Sequence, residues 1–462
     1  MGCENHARAL AAADRWVADH ALRESEKRPV YHFTPPYGWM NDPNGLIQVN
    51  GRYHLFYQHN PYGTQWAQMH WGHAISEDLM RWSDCPEALA PAEPYDFDLR
   101  GGCYSGSAVP LGDGLALLYT GCVHQGETEV QTQNLAYSAD GVHFEKAEQN
   151  PVLAGPPPGA SEHFRDPKAW RQGDWWYLVV CNSVDGHGCV RLYRSADLLC
   201  WEHRGVLLTA APGEGWMWEC PDLFALDGYW MLTVSAMGST AGENLWFVGA
   251  CDLETGRFTV KRKGTLDAGR DFYAAQTLLD RQGRRMMIAW ADSRSLQPGI
   301  VPDAFTASAG YCGHMTLPRR VQISPAGEPR FTPAEETQTL RRESACGALH
   351  LQDGQICPLC APMPASLEAE VSLRFSATGA ERAELVIHHD DRHVTRLEYR
   401  RAQGVLLLDR NRTDDCNTGV VAVTVGQPAE LSFRLFLDRT SLEVFIGQGE
   451  NVVSANLFAN SA

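Results

Sequence analysis

At 462 residues the chain exceeds what a single hydrophobic core usually organises, which predicts one large architecture plus a smaller partner. Hydrophobic residues at 44% with 14 Trp exclude global disorder, and 39 basic against 56 acidic residues, a net charge of −17, exclude a nucleic-acid partner, because that binding rests on clustered Lys and Arg. No apolar run approaches the roughly 20 residues that span a bilayer and the N-terminal stretch lacks the apolar core of a secretory signal, so the expectation is a cytoplasmic protein with no membrane partner.

From the N-terminus, residues 6 to 25 place Leu10, Ala13, Val17 and Ala21 at helical spacing in an Ala-rich stretch, which predicts one amphipathic helix packed on the main fold. Beyond it, short runs rich in Val, Leu, Tyr and Trp alternate with Gly, Asp, Asn and Pro clusters, the pattern of an all-β chain. These runs recur. Each unit opens with a segment that starts polar and ends in a Gly turn: NDPNGLIQVNG (41 to 51), SGSAVPLGDG (105 to 114), RDPKAWRQG (165 to 173), ECPDLFALDG (219 to 228) and AAQTLLDRQG (274 to 283). An apolar strand follows at once: YHLFYQHN, LALLYTG, WWYLVVC, YWMLTVS and RRMMIAWAD. Four units then close on an Asp followed by an aromatic ring, in HAISEDLMRW, AYSADGVHF, YRSADLLCW and VGACDLETGRF. Those rings, Trp82, Phe144, Trp201 and Phe258, lie 62, 57 and 57 residues apart, room for four strands with their turns. Three sub-motifs recurring in one order predict five sheets arranged radially as a β-propeller, rather than a series of unrelated hairpins.

The polar stretch around 325 to 345 predicts a linker or short helix. Alternating strands then resume in LEAEVSLRF, RAELVIHH, GVLLLDR, LSFRLFL and SLEVFIG, which predict a small β-sandwich acting as a structural partner, since it carries no dense cluster of acids, His and aromatics. The expected fold is therefore all-β, a five-bladed β-propeller with a C-terminal β-sandwich and a short N-terminal helix. Its divisions are a helical leader over 1–28, the propeller over 29–325, a linker over 326–345 and the sandwich over 346–462. Fourteen cysteines in a long, core-rich chain predict reduced thiols rather than a disulfide framework. Cys357 and Cys360, a lone CPLC with no second pair, read as incidental thiols rather than a zinc or redox site.

In a propeller the innermost strand of every blade lines the central channel, so the starts of the five opening segments converge on one funnel. They bring Asn41 and Asp42, Tyr104 and Ser105, Arg165 and Asp166, Glu219 and Asp222, and Tyr273 and Gln276. Two or three carboxylates with aromatic rings and a single Arg form the inventory for glycosidic cleavage: one ionised carboxylate attacks or steadies an oxocarbenium-like centre and a second, protonated, serves the leaving oxygen. Asp42, in a Gly- and Asn-rich turn with backbone N–H groups at hand, is expected to stay ionised. Glu219 between Trp218 and Cys220 is expected to be pushed up by apolar neighbours, and Asp166 beside Arg165 to favour its charged form. Taken singly, an Asp before Pro is a turn former; the shared position in successive repeats argues for chemistry. Trp66, in the polar loop HNPYGTQWAQMHWG, reads as a sugar-binding ring, whereas Trp71 and Trp290 fit a core or a site equally. His54, His59, His70 and His73 lack an acidic ligand pattern, so no metal is expected.

At these segments the sequence closely resembles glycoside hydrolase family 32, the invertase, fructan hydrolase and sucrose-6-phosphate hydrolase family. The matching segments are WMNDPNG, FYQHNP, WGHAIS, YSGSAV, FRDPK, WECPD, DFYAAQT, MTLPR and DRTSLEVF, spread from residue 39 to 445. The resemblance implies a five-bladed propeller with a sandwich and a retaining double displacement through a covalent fructosyl-enzyme. It implies Asp42 as nucleophile, Glu219 as acid/base and Asp166 as transition-state stabiliser, with Asn41, Gln58, Trp66, Tyr104, Ser105, Arg165 and Tyr273 lining the fructose pocket. A retaining route predicts the Asp42 and Glu219 carboxyls about 5 to 5.5 Å apart. AWAD at 289 to 292 and GYCG at 310 to 313 depart from the family pattern, which bears on Trp290 as a pocket residue and on the rim near Tyr311. DFDLRGGCYSG places Arg100 toward the leaving-group side, and the sandwich is expected to stop short of its usual last strands.

Within the family the expectation is the intracellular bacterial subgroup, cleaving sucrose 6-phosphate or sucrose and releasing fructose. The alternatives are an exo-acting hydrolase of short inulin or levan chains, a pentose-releasing propeller hydrolase, against which WMNDPNG and WECPD speak, and a non-catalytic sugar-binding propeller, which would have little need of three acids. The partner is a small-molecule sugar; the oligomeric state is not legible in the chain. No cofactor is expected, because both proton transfers and the covalent step use side chains.

Overall fold

The computed structural model describes residues 2–292, 299–352, 354–359, 364–375 and 380–459. The N-terminal helix spans Gly2–His20, ending sooner than the apolar spacing up to Ala21 suggests. The His20 ring takes the carbonyl of Trp16 at 2.8 Å, and the charged stretch leading to Pro29 carries no apolar face that would reward another turn. The helix buries Ala13 and His6, and His6 Nε2 accepts the Ala90 N–H at 3.2 Å, so its role is packing. Among the described residues no helix is long and apolar enough to cross a membrane.

Among the described residues between Gly38 and Pro333 the chain forms five sheets, antiparallel apart from one short strand added to the first. Their opening strands are Gly38–Val49, Gly102–Leu111, Phe164–Gln172, Met217–Leu226 and Tyr273–Leu279. The apolar run of each repeat is the second strand, paired antiparallel to the first. The recurring Asp before an aromatic proves to be a turn device. Asp78, Asp140, Asp197 and Asp252 each accept the backbone N–H groups two and three residues on, at 2.7 to 3.2 Å. The ring that follows closes the turn. Trp82 and Trp201 donate their indole N–H to Leu79 and Leu198 carbonyls, while Phe144 and Phe258 are buried.

Consecutive opening strands touch, and the fifth touches the first. Each sheet also shares a hydrophobic cluster with the next: Phe56 and Trp71 with Leu117 and Tyr119, Leu118 with Phe164 and Leu178, Val179 with Leu232 and Phe247, Met231 with Phe272 and Met287, and Met286 and Ile288 with Leu46 and Tyr57. The ring is closed by a strand from the last unit, Tyr311–Cys312, which pairs parallel to Gly38 and Trp39 of the first sheet. The stretch expected as a linker is partly strand: Pro329–Pro333 is the outer strand of the fifth sheet, and a short 3-10 helix follows over Glu335–Leu340.

The C-terminal region contributes two four-stranded antiparallel sheets around one core that includes Leu397, Tyr399, Leu435 and Val444. Phe436 and Phe445 leave that core to pack with Phe272 and Phe331 of the ring. Eleven cysteines, Cys85, Cys103, Cys122, Cys181, Cys189, Cys200, Cys220, Cys251, Cys346, Cys357 and Cys416, are free thiols, and Cys360 lies outside the described residues.

Candidate active site

All five opening strands break register at the same place. Pairing with the second strand shifts between Met40 and Pro43, Tyr104 and Gly106, Arg165 and Lys168, Glu219 and Asp222, and Tyr273 and Gln276. A bulge leaves an extra residue unpaired and re-aims the side chains around it. At three of them a non-glycine residue is left-handed: Asp166, Cys220 and Ala274 have φ of 65°, 48° and 56°. Each is held by the preceding sheet. Asp166 N–H donates to Thr120 Oγ1 at 3.0 Å, Cys220 N–H to Asp166 Oδ2 at 2.9 Å, and Ala274 N–H to Ser235 Oγ at 2.9 Å.

The bulges bring the acids together. Asp42 Oδ2 accepts from Ser105 Oγ at 2.6 Å and from the Cys220 thiol at 3.4 Å, while Oδ1 accepts from Asn41 Nδ2 at 3.0 Å. The same thiol lies 3.6 Å from Asp166 Oδ2, so Asp42 and Asp166 flank one sulfur atom. Glu219, the neighbour of Cys220 in the chain, takes Arg165 Nε at 3.0 Å and Nη2 at 2.9 Å on Oε1, and the Tyr273 hydroxyl at 2.6 Å on Oε2.

The electrostatics differ from the sequence expectation at Asp42 and Asp166. Burial raises the Asp42 carboxyl and the Glu219 charge adds to that, against the donors Ser105, Asn41 and Cys220. These donors are side chains, not the turn amides expected. Asp166 is not held in its charged form by Arg165. Burial lifts it well above the ordinary carboxylate range. The Arg165 charge pulls the other way, but repulsion from Glu219 and Asp42 adds to the burial and the rise prevails, while the guanidinium's hydrogen bonds go to Glu219. The polar contacts of Glu219 include a guanidinium and a phenol. The expected apolar neighbour, Trp218, turns away to pack on Phe247 and donates to the Glu214 carbonyl at 2.7 Å.

Around the acids, Trp39 Nε1 donates to Asn41 Oδ1 at 2.8 Å. The Trp39 ring meets Trp290 edge-on at 5.9 Å, and Trp290 meets Tyr273 at 6.5 Å. These rings bury against Met69 and Cys220, with Tyr104 packed beside them. Trp66 is 45% exposed and sets its edge to Tyr104 at 6.2 Å, on the rim. Gln58 stands behind this wall, its amide donating to the Cys103 carbonyl at 2.9 Å. Trp71 is a core residue whose indole N–H reaches the Tyr104 carbonyl at 3.1 Å.

Two residues expected in the funnel are structural instead. Asp222 binds Thr277 N–H at 2.7 Å, its hydroxyl at 2.9 Å and Lys168 Nζ at 3.0 Å, and the Gln276 amide donates to the Gly106 carbonyl at 2.7 Å, so both tie neighbouring sheets together. Arg100 sits further out: its guanidinium donates to the Gly126 carbonyl at 3.0 Å and its own carbonyl accepts the Tyr104 hydroxyl at 3.3 Å. The four histidines are packing groups, His54 on His73 at 3.1 Å, His59 on Glu87 at 2.7 Å and His70 on the Gln68 carbonyl at 3.2 Å. Among the described residues no group of three or more His, Cys, Asp or Glu could hold a metal ion. Sequence reasoning missed Cys220, Thr120 and Ser235 as partners of the site. Only Cys220, beside Glu219 at a repeat start, carried any signal.

Comparison with known proteins identifies the family. Residues 32–332 match the model of the glycosyl hydrolases family 32 N-terminal domain and residues 336–462 that of the family 32 C terminal. Raffinose invertase of Escherichia coli is 36% identical, covering 95% of this chain and 91% of the relative. Sucrose-6-phosphate hydrolase of Bacillus subtilis is 33% identical over 97% and 95%. Among solved structures, a variant of the family 32 β-fructofuranosidase of Bombyx mori in complex with sucrose superposes with a TM-score of 0.83 at 34% identity, covering 98% of this chain and 94% of that one. With both family models matched in order along the chain and a relative 36% identical over 95% of it, this chain belongs to glycosyl hydrolases family 32.

Proposed function

We propose that the chain hydrolyses the β-fructofuranosyl bond of sucrose or sucrose 6-phosphate, with Asp42 as nucleophile, Glu219 as acid/base and Asp166 as transition-state stabiliser. The observation that carries this reading is the bracket around Cys220, which sets Asp42 and Asp166 on one sulfur with Glu219 next to it. The names of the relatives, invertase and sucrose-6-phosphate hydrolases, and the sucrose bound in the Bombyx mori structure support a sucrose-type substrate.

In the first step an Asp42 oxygen attacks the fructosyl C2 while Glu219 delivers its proton to the departing glycosidic oxygen, giving a covalent fructosyl-enzyme and free glucose or its 6-phosphate. In the second, Glu219 takes a proton from water, which attacks C2 and returns the carboxylate of Asp42. Two inversions leave the configuration of fructose unchanged. Ser105, Asn41 and Cys220 keep Asp42 ionised and aimed, and Asp166 faces the positive charge that develops on the ring.

The five sheets are read as the blades of a propeller, supported by their closed ring of contacts, and the two C-terminal sheets as a β-sandwich. The proposed divisions are a helical leader before residue 29, a propeller carried to Pro333 by the outer strand of the fifth sheet, and a sandwich after the short 3-10 helix. The unpaired thiols support a reducing compartment, the cytoplasm. The test is product analysis on sucrose with and without the 6-phosphate, with NMR of the first-formed fructose anomer. Retention with release of fructose is expected. Asp42→Ala should lower turnover by at least about 10⁴-fold without unfolding the protein, and retained activity would remove Asp42 as nucleophile.

A further inference from the structure

The C-terminal module reaches the active site through a buried clamp. The segment 267–271 runs beside 452–456: Ala268 N–H donates to the Val452 carbonyl at 2.8 Å, Ser454 N–H to Asp267 Oδ1 at 2.9 Å, and Asn456 N–H to Asp271 Oδ2 at 2.7 Å. The approach is so close that a Cβ on Gly269 would stand 2.0 Å from the Ser454 carbonyl oxygen. Asp271 is also paired with the Arg410 guanidinium, and both groups are buried. From the same residue, Asn456 Nδ2 donates to the Asp292 carbonyl at 2.8 Å.

These anchors lie where they can set the chemistry. Asp271 is two residues before Tyr273 and Asp292 two after Trp290, and Tyr273 and Trp290 face each other across paired strands. The Tyr273 hydroxyl ends on Glu219 Oε2 at 2.6 Å. The Trp290 ring ends on Trp39, whose indole N–H fixes Asn41, which in turn donates to Asp42. Two polar tethers from one C-terminal residue thus hold the two strand ends from which both proposed reacting carboxylates are braced. A buried guanidinium–carboxylate pair with further donors resists sliding, because any displacement leaves a charge without its partner in a medium of low polarity.

We propose that Asn456 and Arg410 are positioning residues: by fixing Asp271 and Asp292 they hold Tyr273 and Trp290, and through them Glu219 and Asp42, at the separation the reaction requires. The C-terminal module is thereby a working part of the active site. This rests on the roles given above to Asp42 and Glu219.

The experiment compares wild type with Asn456→Ala, Arg410→Lys, Arg410→Met, Tyr273→Phe and Glu219→Gln on sucrose and on p-nitrophenyl β-fructofuranoside, whose departing oxygen needs little protonation. Asn456→Ala should lower kcat on sucrose by about 10-fold with KM little changed, since a misplacement of a fraction of an ångström carries losses of this order. Because Asn456→Ala keeps the main-chain N–H on Asp271 and loses only the side-chain tether to Asp292, it should lower turnover of both fructosides and move the acid limb of kcat/KM upward, as Asn41 is loosened on Asp42. Arg410→Lys, which loosens Asp271 and with it Tyr273, should spare the activated fructoside and move the alkaline limb upward, because the Glu219 carboxylate loses a donor to its charged form. Arg410→Lys, which keeps the charge, should retain more activity than Arg410→Met. Combined with Tyr273→Phe, Arg410→Lys should add little, because both loosen the brace from Asp271 through Tyr273 to Glu219. Arg410→Met leaves Asp271 buried and uncompensated and can fail to fold; Asn456→Ala is neutral and keeps the question open to measurement. Should Asn456→Ala and Arg410→Lys lower only the melting temperature, with kcat, KM, pH profile and the ratio between the two fructosides unchanged, the clamp is structural and the proposal is wrong. Equal losses on both fructosides in Glu219→Gln would instead overturn the acid role of Glu219, a separate failure.

Discussion

Asp42 stays useful as a nucleophile only because side chains work against its burial. Ser105 supplies the shortest contact, and a hydrogen bond to a charged group is worth about 1.5–3 kcal/mol, or one to two units of titration. Ser105→Ala should therefore move the acid limb of the rate profile up by about one pH unit, because the ionised form loses a donor; an unmoved limb would show that Ser105 does not tune Asp42. Asp166 pays the opposite way in stability. Its folded value is raised above the ordinary unfolded value near 3.9. The native protein therefore holds a proton that the unfolded chain has released, and stability from this group falls as pH rises from that value through the folded titration. Asp166→Asn should be inactive yet more stable than wild type, with a melting-temperature gap that widens from pH 5 to pH 8. The identities of all three acids were legible in the repeats, since each stands at the start of an opening strand. The raised titration of Asp42 and Asp166 was not, because it depends on how deeply the two carboxyls are buried and on Glu219 facing both of them from another sheet.

At the scale of elements, two motifs that carry no catalytic group find their reason in one buried network. MTLPR supplies Arg319 and DRTSLEVF supplies Asp438 and Glu443. His32 spans Asp438 Oδ2 at 2.9 Å and Glu443 Oε1 at 3.1 Å, while Arg319 joins Glu443 at 2.8 Å to Asp267 at 2.8 Å. Burial would lower His32, but the two carboxylates outweigh it and raise it to about 9, and Glu443 falls to about 2 despite its own burial. A histidine raised in the folded state contributes stability that is complete below its unfolded value near 6.5 and lost as pH rises through about 9. Glu443 contributes above its unfolded value near 4.3 and loses it as pH falls toward about 2. His32→Gln should cost about 3 kcal/mol at pH 6 and clearly less at pH 9.5, measured by urea unfolding, since removing one partner strands buried charges. A cost independent of pH would place the effect in packing alone. The strands themselves were readable from period and turn residues. The bulges were not, because a register shift depends on what the neighbouring strand offers, here Thr120, Asp166 and Ser235 in preceding sheets.

At the scale of the molecule, no sheet has a core of its own. Each shares apolar side chains with the next, and Phe436 and Phe445 extend that sharing to the C-terminal sheets. With burial of this kind the dominant stabilising term, the ring and the C-terminal sheets should unfold in one transition, and circular dichroism and Trp fluorescence should coincide. Two separated transitions would show that the modules hold themselves up independently and would weaken the brace drawn from Asn456 to Tyr273. What the sequence by itself determined was the all-β class, the recurrence of five opening segments, the family and the place of the three acids at strand starts, because periodicity, turn chemistry and repeat position are local and survive in one dimension. What only the tertiary structure decided was which charge pairs with which, that Cys220 sits between Asp42 and Asp166, that Asp222 and Gln276 tie sheets instead of meeting substrate, and that the last strands reach back to the site. Those follow from contacts between distant segments, where burial and the competition for each donor set the outcome, and neither can be read from neighbours in the chain.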